Sequence, residues 1–507
     1  MPTLRDVAIL AGVSTATVSH VVNNTRRITP ETRARVERAI AQIGFTPNPV
    51  GRLLALQKNG TNLNAPRLPD ALPELRPIKP EAYDAERAIG SWRAPHGMAP
   101  APAGYSSSTA RAMLKIIRAA QPISRADLAR RLDVNRSTVT EIVKPLLASG
   151  VLREGEPQQA TTGRTGRPPI GLSLCTGRAF FIGVNIGVRR TQVGIAGADG
   201  QMLDEDAFDT LPDAAATLAQ IRAIIERLRT RLPERAQTFI GVSIPSPTDA
   251  ARTRLLYAPH LGWRDVDIAA ALRMRDTLGT KSIGRDVPVV VENDSSAAAM
   301  YEARRRLRSS TDGSWGDFIL VRAGTGIGVG LVLGGEVYRG TGVGGGLAGE
   351  FGHMTIVAGG KPCVCGNRGC WERYASASSA ASLYTGDRPL AHKASAPRFA
   401  EIVSRAEAGE RRAQATLERI GEYLGIGIGN VIGGLGIPRV VVSGRVVLGW
   451  RFIEGSLREA LARTMAGRLS PWSVEPGEPT GAGLGGALEV AIDEYLTTLS
   501  TQIKAAA

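Results

Sequence analysis

Cysteine is scarce in this chain, with four among 507 residues. Three of them, Cys363, Cys365 and Cys370, crowd into one short segment, and Cys175 stands alone. That distribution excludes a disulfide framework and predicts a reducing, cytoplasmic setting. Aromatic residues make up only 5% against 43% hydrophobic residues overall, so large cores are expected, packed by aliphatic and alanine contacts. Long apolar runs are missing: nothing approaches eighteen residues, and Met1-Pro2-Thr3-Leu4-Arg5-Asp6 has no apolar signal core. No membrane partner is expected. Negative charge is also short, with 47 acidic against 62 basic residues and a formal charge of +15. Such a balance favours a polyanionic partner, most commonly nucleic acid, although an arginine-rich composition alone raises the charge, so position must decide. The length suggests three or four domains.

The cysteines that are present carry the sharpest signal. Histidine is nearly as rare as cysteine, with five in the chain, yet His353 lies next to the cluster. His353, Cys363, Cys365 and Cys370 offer one imidazole and three thiolates, a tetrahedral zinc set, with glycines between them to let the loop turn. Four protein ligands leave no open coordination position, which argues against a Lewis-acid role. Glu350 precedes the histidine by three residues and Glu372 follows the last cysteine by two. The stretch Gly349-Glu350-Phe351-Gly352-His353 with Cys363-Val364-Cys365-Gly366-Asn367-Arg368-Gly369-Cys370-Trp371-Glu372 resembles the signature of the ROK family, which comprises bacterial sugar kinases and sugar-responsive repressors. The resemblance implies that the histidine binds zinc and faces a sugar, while Glu350 and Glu372 bond its hydroxyls. A purely structural zinc knuckle is the plainer alternative.

Two segments upstream read as DNA-binding. A helix opens at Thr3-Leu4, Gly12 breaks it, and Ser14 caps a second helix through Val22. A third starts at Thr29-Pro30 and ends near Gly44. Ala8, Gly12, Val13 and Val18 fall at the small, turn and apolar positions of a helix-turn-helix. With Phe45, Pro47-Asn48 and Val50 to Ala55, the pattern resembles the LacI-family headpiece. The resemblance puts Thr15, Ala16, Thr17 and His20 at base-reading positions and Leu54 at a minor-groove wedge. These side chains do not specify an operator. Residues 58–105, rich in proline and alanine, read as a linker; as a flexible coil, roughly 48 residues would reach about 40 Å.

A second, winged pattern spans residues 106–172. Ser124 caps a helix over 125–132, and Asn135, Arg136, Ser137, Thr138 and Thr140 would form the outer face of a recognition helix. Arg164 and Arg167 lie on a basic Gly-Arg-Thr-Gly-Arg-Pro-Pro tip that resembles the one in ROK repressors. It is suited to a minor groove, or else is simply a solvated loop.

From Phe180 onward apolar strands alternate with helices through two halves. The fold expected is multidomain α/β: residues 1–57 a helical helix-turn-helix domain, 106–172 a winged helix, and 173–500 the two-lobed actin-like, ribonuclease-H-like ATPase fold that ROK proteins share. Asn293 and Asp294 end an apolar strand. In the kinases the matching aspartate is the general base and the asparagine binds a neighbouring hydroxyl, although the same pair also suits a helix cap. The expected sugar set is therefore Asn293, Asp294, Glu350, His353 and Glu372. The nucleotide side departs from the family: Asp-x-Gly-Gly-Thr is replaced by Asn185-Ile186-Gly187-Val188-Arg189, which removes an acid and adds bulk where phosphate must be wrapped. Gly324 to Gly330 keeps a second glycine loop, which serves phosphate or lobe packing equally well. The expectation is a non-enzymatic transcription regulator, most readily a repressor of carbohydrate genes. It would bind zinc, a double-stranded operator and a sugar or sugar phosphate effector, as a homodimer or homotetramer. The alternatives are an ATP-dependent sugar kinase that also binds DNA, and a protein-sensing module.

Overall fold

The computed structural model describes residues 4–23, 28–43, 107–157, 170–177, 179–233, 236–275, 286–309, 316–340, 347–386 and 397–506. The linker, Leu54, Arg164 and Arg167 lie outside these residues. The chain divides into two units at Pro77.

In the first unit, α1 (Leu4–Ala11), α2 (Thr15–Asn23) and α3 (Pro30–Ile43) surround a small core of Val7, Ala8, Val18, Val21 and Val36. Gly12 sits at φ +62° between the first two helices, a left-handed turn that favours glycine. Ser14 Oγ then accepts from Thr17 N at 3.1 Å and caps α2. This is the helix-turn-helix that the sequence predicts.

The second unit begins with α4 (Ser107–Ala120), β1 (Ile123–Ser124), α5 (Arg125–Leu132), α6 (Arg136–Ala148), β2 (Leu152–Pro157) and β3 (Ile170–Leu174). The strands form a small sheet in the order β1-β3-β2, the wing. Ser124 caps α5 by accepting from Asp127 N at 3.1 Å, and Asp133 makes the left-handed turn into α6 at φ +51°. Val139, Ile142, Val143 and Leu146 bury one side of α6.

Two lobes follow. The first has β4 (Ala179–Ile186), β5 (Arg190–Gly197), β6 (Met202–Asp209), α7 (Ala214–Arg229), β7 (Gln237–Ile244), the hairpin β8 (Arg254–Ala258) and β9 (Trp263–Asp267), β10 (Val289–Asn293) and α8 (Asp294–Ser309). The second has β11 (Phe318–Ala323), β12 (Ile327–Leu333), β13 (Glu336–Tyr338), α9 (Glu372–Ala375), α10 (Arg411–Leu435), β14 (Arg439–Ser443), α11 (Trp450–Ala462) and β15 (Ser473–Pro476). The main sheets run β10-β7-β4-β5-β6 and β13-β12-β11-β14-β15. Each is an antiparallel meander of three strands extended by two parallel ones. This repeat is the actin-like architecture, as expected. The central strand β4 is buried at all eight positions.

The last helix, α12 (Ala482–Ala506), returns to the first lobe. Glycine lets it approach: a Cβ on Gly241 would lie 2.2 Å from the Ala487 carbonyl oxygen. Its far side joins the winged helix. Met113, Ile117, Leu128 and Ile142 share one apolar cluster with Phe181, Phe239, Leu488, Tyr495 and Leu496. Across that junction Arg118, 5% exposed, meets Glu489, 7% exposed, with a second contact of 2.8 Å. Arg304 adds a third at 2.9 Å, and Asp493 takes Arg111 at 2.5 Å and Lys115 at 3.2 Å. Among the described residues no helix is long and apolar enough to cross a membrane.

Glu489→Gln leaves two guanidiniums without a full counter-charge in a buried site. We expect it to lower the unfolding free energy of this unit by about 3–5 kcal/mol, read by chemical denaturation. Burial alone would raise both carboxyls, but Arg118 holds Glu489 down, and Lys115 and Arg111 do the same for Asp493. A depressed folded-state value gives stabilisation that is complete above the ordinary values of 4.5 and 3.8 and lost as pH falls below them. The deficit of Glu489→Gln and of Asp493→Asn relative to the parent protein should therefore be full at neutral pH and narrow as pH falls below the ordinary carboxylate values, read by denaturation at several pH values.

Candidate functional site

The residues between β13 and α9 build the loop that carries the candidate metal donors by turning tightly against β12. Gly349, at φ +109°, starts a single helical turn over Glu350–His353. Its missing side chain matters, because a Cβ there would meet the Val329 carbonyl oxygen at 2.0 Å. Downstream, Cys363 N donates to Asn367 O at 2.9 Å and Gly369 N to Lys361 O at 2.8 Å, folding the cysteine segment back. Trp371 anchors its end, wholly buried, with Nε1 donating to Tyr423 O at 2.8 Å.

The outcome is four donor atoms from His353, Cys363, Cys365 and Cys370 within 4.8 Å of one another. His353 Nδ1 lies 3.6 Å from Cys363 Sγ, and Cys365 and Cys370 sulfurs are 3.7 Å apart. That separation is far beyond a disulfide bond, and the thiols are free. Burial pushes the Cys363 and Cys370 thiols up; a divalent cation reverses that preference by stabilising the thiolates. The cluster could hold a metal ion.

The two carboxylates flank the histidine on different sides, Glu350 by Nε2 and Glu372 by Nδ1, where Oε1 lies 3.8 Å away. Glu350 Oε2 is 3.8 Å from His353 Nε2, and burial, reinforced by the charges of Asp294 and Glu372, pushes Glu350 up to about 7. Glu372 is 4% exposed, yet His260 at 3.5 Å and the Cys363 thiol at 3.1 Å hold it below the usual carboxylate range against its burial. His260, from the turn between β8 and β9, is a site residue that the sequence reading left unassigned. Its local signal is the segment Ala258-Pro259-His260-Leu261-Gly262-Trp263, which resembles a family landmark on the cleft wall.

Asn293 and Asp294 reach the same cleft, each already engaged. Asn293 Oδ1 accepts from Ser295 N and Ser296 N at 2.9 and 3.2 Å, so it caps α8, and its Nδ2 donates to Ser246 O at 3.3 Å. Asp294 forms an ion pair with Arg322 at the end of β11.

The glycine loop divides between two duties. Gly328 and Gly330 belong to β12 and seat it on α8, where a Cβ would meet Ser295 Oγ at 1.9 Å and Ser295 O at 2.5 Å. Gly326 faces the pocket, with Glu372 Oε2 only 2.3 Å from where its Cβ would be. Gly324 borders open space. Across the cleft Asn185 is spent on Gln192, its Nδ2 donating to Oε1 at 3.1 Å.

Residues 181–494 match the model of the ROK family. The chain belongs to that family. Residues 3–48 match the model for bacterial regulatory proteins of the lacI family, and residues 107–153 that for a winged helix-turn-helix DNA-binding domain. The xylose repressor of Bacillus subtilis (strain 168) is 27% identical over 361 residues, covering 70% of this chain and 87% of the repressor. The DNA-binding transcriptional dual regulator NagC of Escherichia coli (strain K12) is 26% identical over 345 residues, covering 66% and 80%. A solved ROK family transcriptional regulator, a homologue of the E. coli MLC protein, superposes with a TM-score of 0.60 at 21% identity, over 79% of this chain and all of that one. That likeness shows the fold.

The ROK domain touches the winged helix close to its cleft as well as at α12. Glu292, wholly buried beside Asn293, receives Arg339 Nε at 2.7 Å and Arg252 at 3.0 Å. Arg339 directly follows β13, whose Glu336 takes Lys115 of α4 at 2.7 Å. Of the residues expected to face DNA on the winged helix, Asn135, Arg136, Ser137 and Thr140 are exposed and Thr138 is half-buried. Thr140 Oγ1 donates to Arg136 O at 2.9 Å. In the first unit Thr15 is exposed, Thr17 shares its hydroxyl with Ser14 at 2.9 Å, and His20 is half-buried; Ala16 lies on α2.

Gly352→Ala tests how the loop positions the donors. Its Cβ would lie 1.8 Å from the Ile327 carbonyl oxygen, so the Glu350–His353 turn must lift off β12. We expect metal affinity to fall about 10-fold or more, measured by chelator competition; unchanged affinity would contradict this account.

Proposed function

We propose that this protein is a DNA-binding transcription regulator, a repressor of carbohydrate genes, in which a sugar bound in the ROK cleft changes how the helix-turn-helix segments meet an operator. The observation that carries this reading is the single apolar core joining α4 and α6 to β4, β7 and α12. A DNA-reading helix and a ligand-binding lobe packed that way form one mechanical body, so closure of the lobes is felt at α6. The repressor and regulator names of the relatives support the same reading.

In this reading Glu350, His353 and Glu372, with Asn293 and Asp294, hold the sugar hydroxyls. The ion is zinc, since one imidazole and three thiolates suit its tetrahedral preference and fill it. Zinc bound at Nδ1 would fix the His353 ring so that Nε2 faces Glu350 and the sugar. Bound zinc supplies rigidity here and no reacting group. Phosphoryl transfer is absent from the proposal: Asp294 is already paired with Arg322, and Asn185 offers no charge to a phosphate-bound cation. Asn135, Arg136, Ser137, Thr138 and Thr140 read the operator, with Thr15, Ala16, Thr17, His20 and Leu54 of the first unit and Arg164 and Arg167 of the wing tip as further contacts. A homodimer would double the DNA-reading segments and a homotetramer would quadruple them.

Elemental analysis should find about one zinc per chain, and Cys365→Ser should lower it and weaken the sugar response at least as much as it weakens the fold; protein purified without chelator and free of zinc would sink the assignment. Fluorescence anisotropy of a labelled operator should change in affinity about 5–150-fold on saturation with an effector sugar. An operator affinity indifferent to every sugar that binds would rule out the regulator reading, and ADP release with sugar and ATP, abolished by Asp294→Asn, would establish a kinase instead.

A further inference from the structure

Helix α4 of the winged helix lies across the boundary between the two lobes. Arg111 faces Asp493 of α12 at 2.5 Å and Glu336 of β13 at 3.3 Å. Lys115 makes the same pair of contacts, at 3.2 and 2.7 Å. Each cation thus has one carboxylate on α12, which packs on the first lobe, and one on the second lobe. The rest of the junction is not divided in this way. Arg118 pairs with Glu489, also on α12, and both are almost wholly buried. The apolar cluster around them draws on the winged helix, the first lobe and α12. The winged helix is therefore carried by the first lobe, and among the described ion pairs Glu336 is the second lobe's hold on it.

Strand β13 has three residues, about 10 Å, and its other end reaches the cleft. Arg339, directly after it, donates from Nε to Glu292 Oε2 at 2.7 Å. Glu292 is in turn joined to its cleft neighbour, since Asn293 N donates to Glu292 Oε1 at 3.2 Å. The same Oε2 faces Arg252 of the first lobe at 3.0 Å. Arg252 is held there by its turn: Asp249 Oδ1 accepts from Thr253 N and Arg254 N at 2.7 and 2.8 Å, and keeps Arg252 at φ +58°, a left-handed conformation unfavourable for arginine. When the lobes part, Glu292 keeps this counter-charge from its own lobe. The contact with Arg339 can then break without leaving a buried carboxylate unpaired. The strand also has room to shift, because a cavity of about 50 Å³ lined by Lys115, Met300, Glu336, Arg339 and Asp493 lies between β13, α4 and α12.

Resting on the sugar-regulator reading, we propose that β13 is the lever that carries lobe closure to the winged helix, with Arg339 and Glu292 as its latch at the sugar end and Glu336 as its grip on Arg111 and Lys115 at the other. A sugar held between Asn293 of the first lobe and Glu350 of the second sets the distance between the lobes, and so makes or breaks the Arg339–Glu292 contact. The strand moves with Arg339, and the movement decides how Arg111 and Lys115 are shared. Closure holds them across Glu336 and Asp493 together and ties the winged helix to both lobes. Opening leaves them to Asp493 and withdraws the second lobe from α4. Glu292, Arg339 and Glu336 are positioning residues in this scheme, since none of them touches sugar or DNA.

Fluorescence anisotropy on the full-length, zinc-replete protein tests this, with a labelled duplex that the protein itself selects from random sequence and with xylose, glucose and N-acetylglucosamine as probes. In Glu336→Gln and in Arg339→Met, sugar affinity by calorimetry and duplex affinity without sugar should stay within about 3-fold of the parent's. The fold-change in duplex affinity that the sugar causes in the parent should collapse toward one in both, and Arg339→Lys, which keeps the charge, should retain part of it. By reciprocity the effect of the duplex on sugar affinity should fall by the same factor, which a merely structural contact would not produce. Glu336 is 47% exposed, so its variant keeps the fold even where Arg339→Met does not. An undiminished response in Glu336→Gln overturns the inference and leaves the regulator reading standing. Loss of duplex affinity in that variant without sugar overturns it too, because the contact is then structural only. A parent protein whose duplex affinity is indifferent to every sugar of the panel defeats the regulator reading, and the inference with it.

Discussion

A guanidinium and a carboxylate buried together cost several kcal/mol of desolvation each unless their hydrogen-bonding capacity is filled. Arg118 and Glu489 meet that condition at the junction of the winged helix and the ROK domain. Arg118 gives two nitrogens to the carboxylate and Nε to Ala198 O at 3.1 Å, while Arg304 supplies the second cation and is itself held by Asp199 O at 2.6 Å. Such a site tolerates little sliding, because a shift of one ångström would strand a charge. The winged helix is therefore fixed in orientation to α12 by polar geometry, whereas the apolar contacts around it fix only proximity. Helix α12 carries that orientation along its length: 25 residues span about 37 Å. Its first turn lies against Asn185 in the cleft, where a Cβ on Gly483 would come within 2.6 Å of Asn185 Nδ2.

A second connection leaves the cleft by another route. Glu292 shares a strand end with Asn293 but points away from it, into Arg252 and Arg339. Arg339 is tied by sequence to Glu336, and Glu336 to Lys115 and Arg111 of α4. Strand β13 belongs to the second lobe, β10 to the first, and α4 to the winged helix, so three bodies meet in one set of ion pairs. Rotation of one lobe on the other must lengthen some of these contacts. Apolar packing would yield gradually to such a rotation, whereas short ion pairs favour discrete positions.

The parts of this arrangement that the sequence exposes are local ones. The four metal donors lie within eighteen residues, so their spacing alone predicts the cluster. Strand periodicity and Asn293-Asp294 at a strand end announced two lobes and a cleft residue pair. Arg322 carried no such pattern, because it sits singly at the end of β11 and gains meaning only when the sheets are assembled. The carboxylate partner of Arg118 lies 371 residues away, beyond any local rule, and so the merged core was not legible. The glycine loop was ambiguous for a physical reason. Its members serve different purposes, Gly328 and Gly330 packing β12 onto α8 and Gly326 making room for Glu372. Asn293 shows the same doubling, since the oxygen that suits a sugar hydroxyl already caps a helix.

Under the sensor reading, the changes that oppose catalysis and those that favour sensing are the same changes. A general base must be free to accept a proton, but Asp294 is held by Arg322. A phosphate donor needs a cation bridged by an acid, but Asn185 is neutral and committed to Gln192. A kinase lets its ligand leave as something else. A sensor must hold its ligand unchanged for as long as the operator state is to last, and fixed ion pairs do this better than mobile metal-bound phosphates. The rigid wall made by His353, Glu372 and the metal loop serves the same end, because a sugar can bias lobe closure only if one side of its pocket does not yield. The groups at the phosphoryl-transfer positions are thus already engaged, Asp294 by Arg322 and Asn185 by Gln192, and ligand binding energy is left to act on the junction with the winged helix.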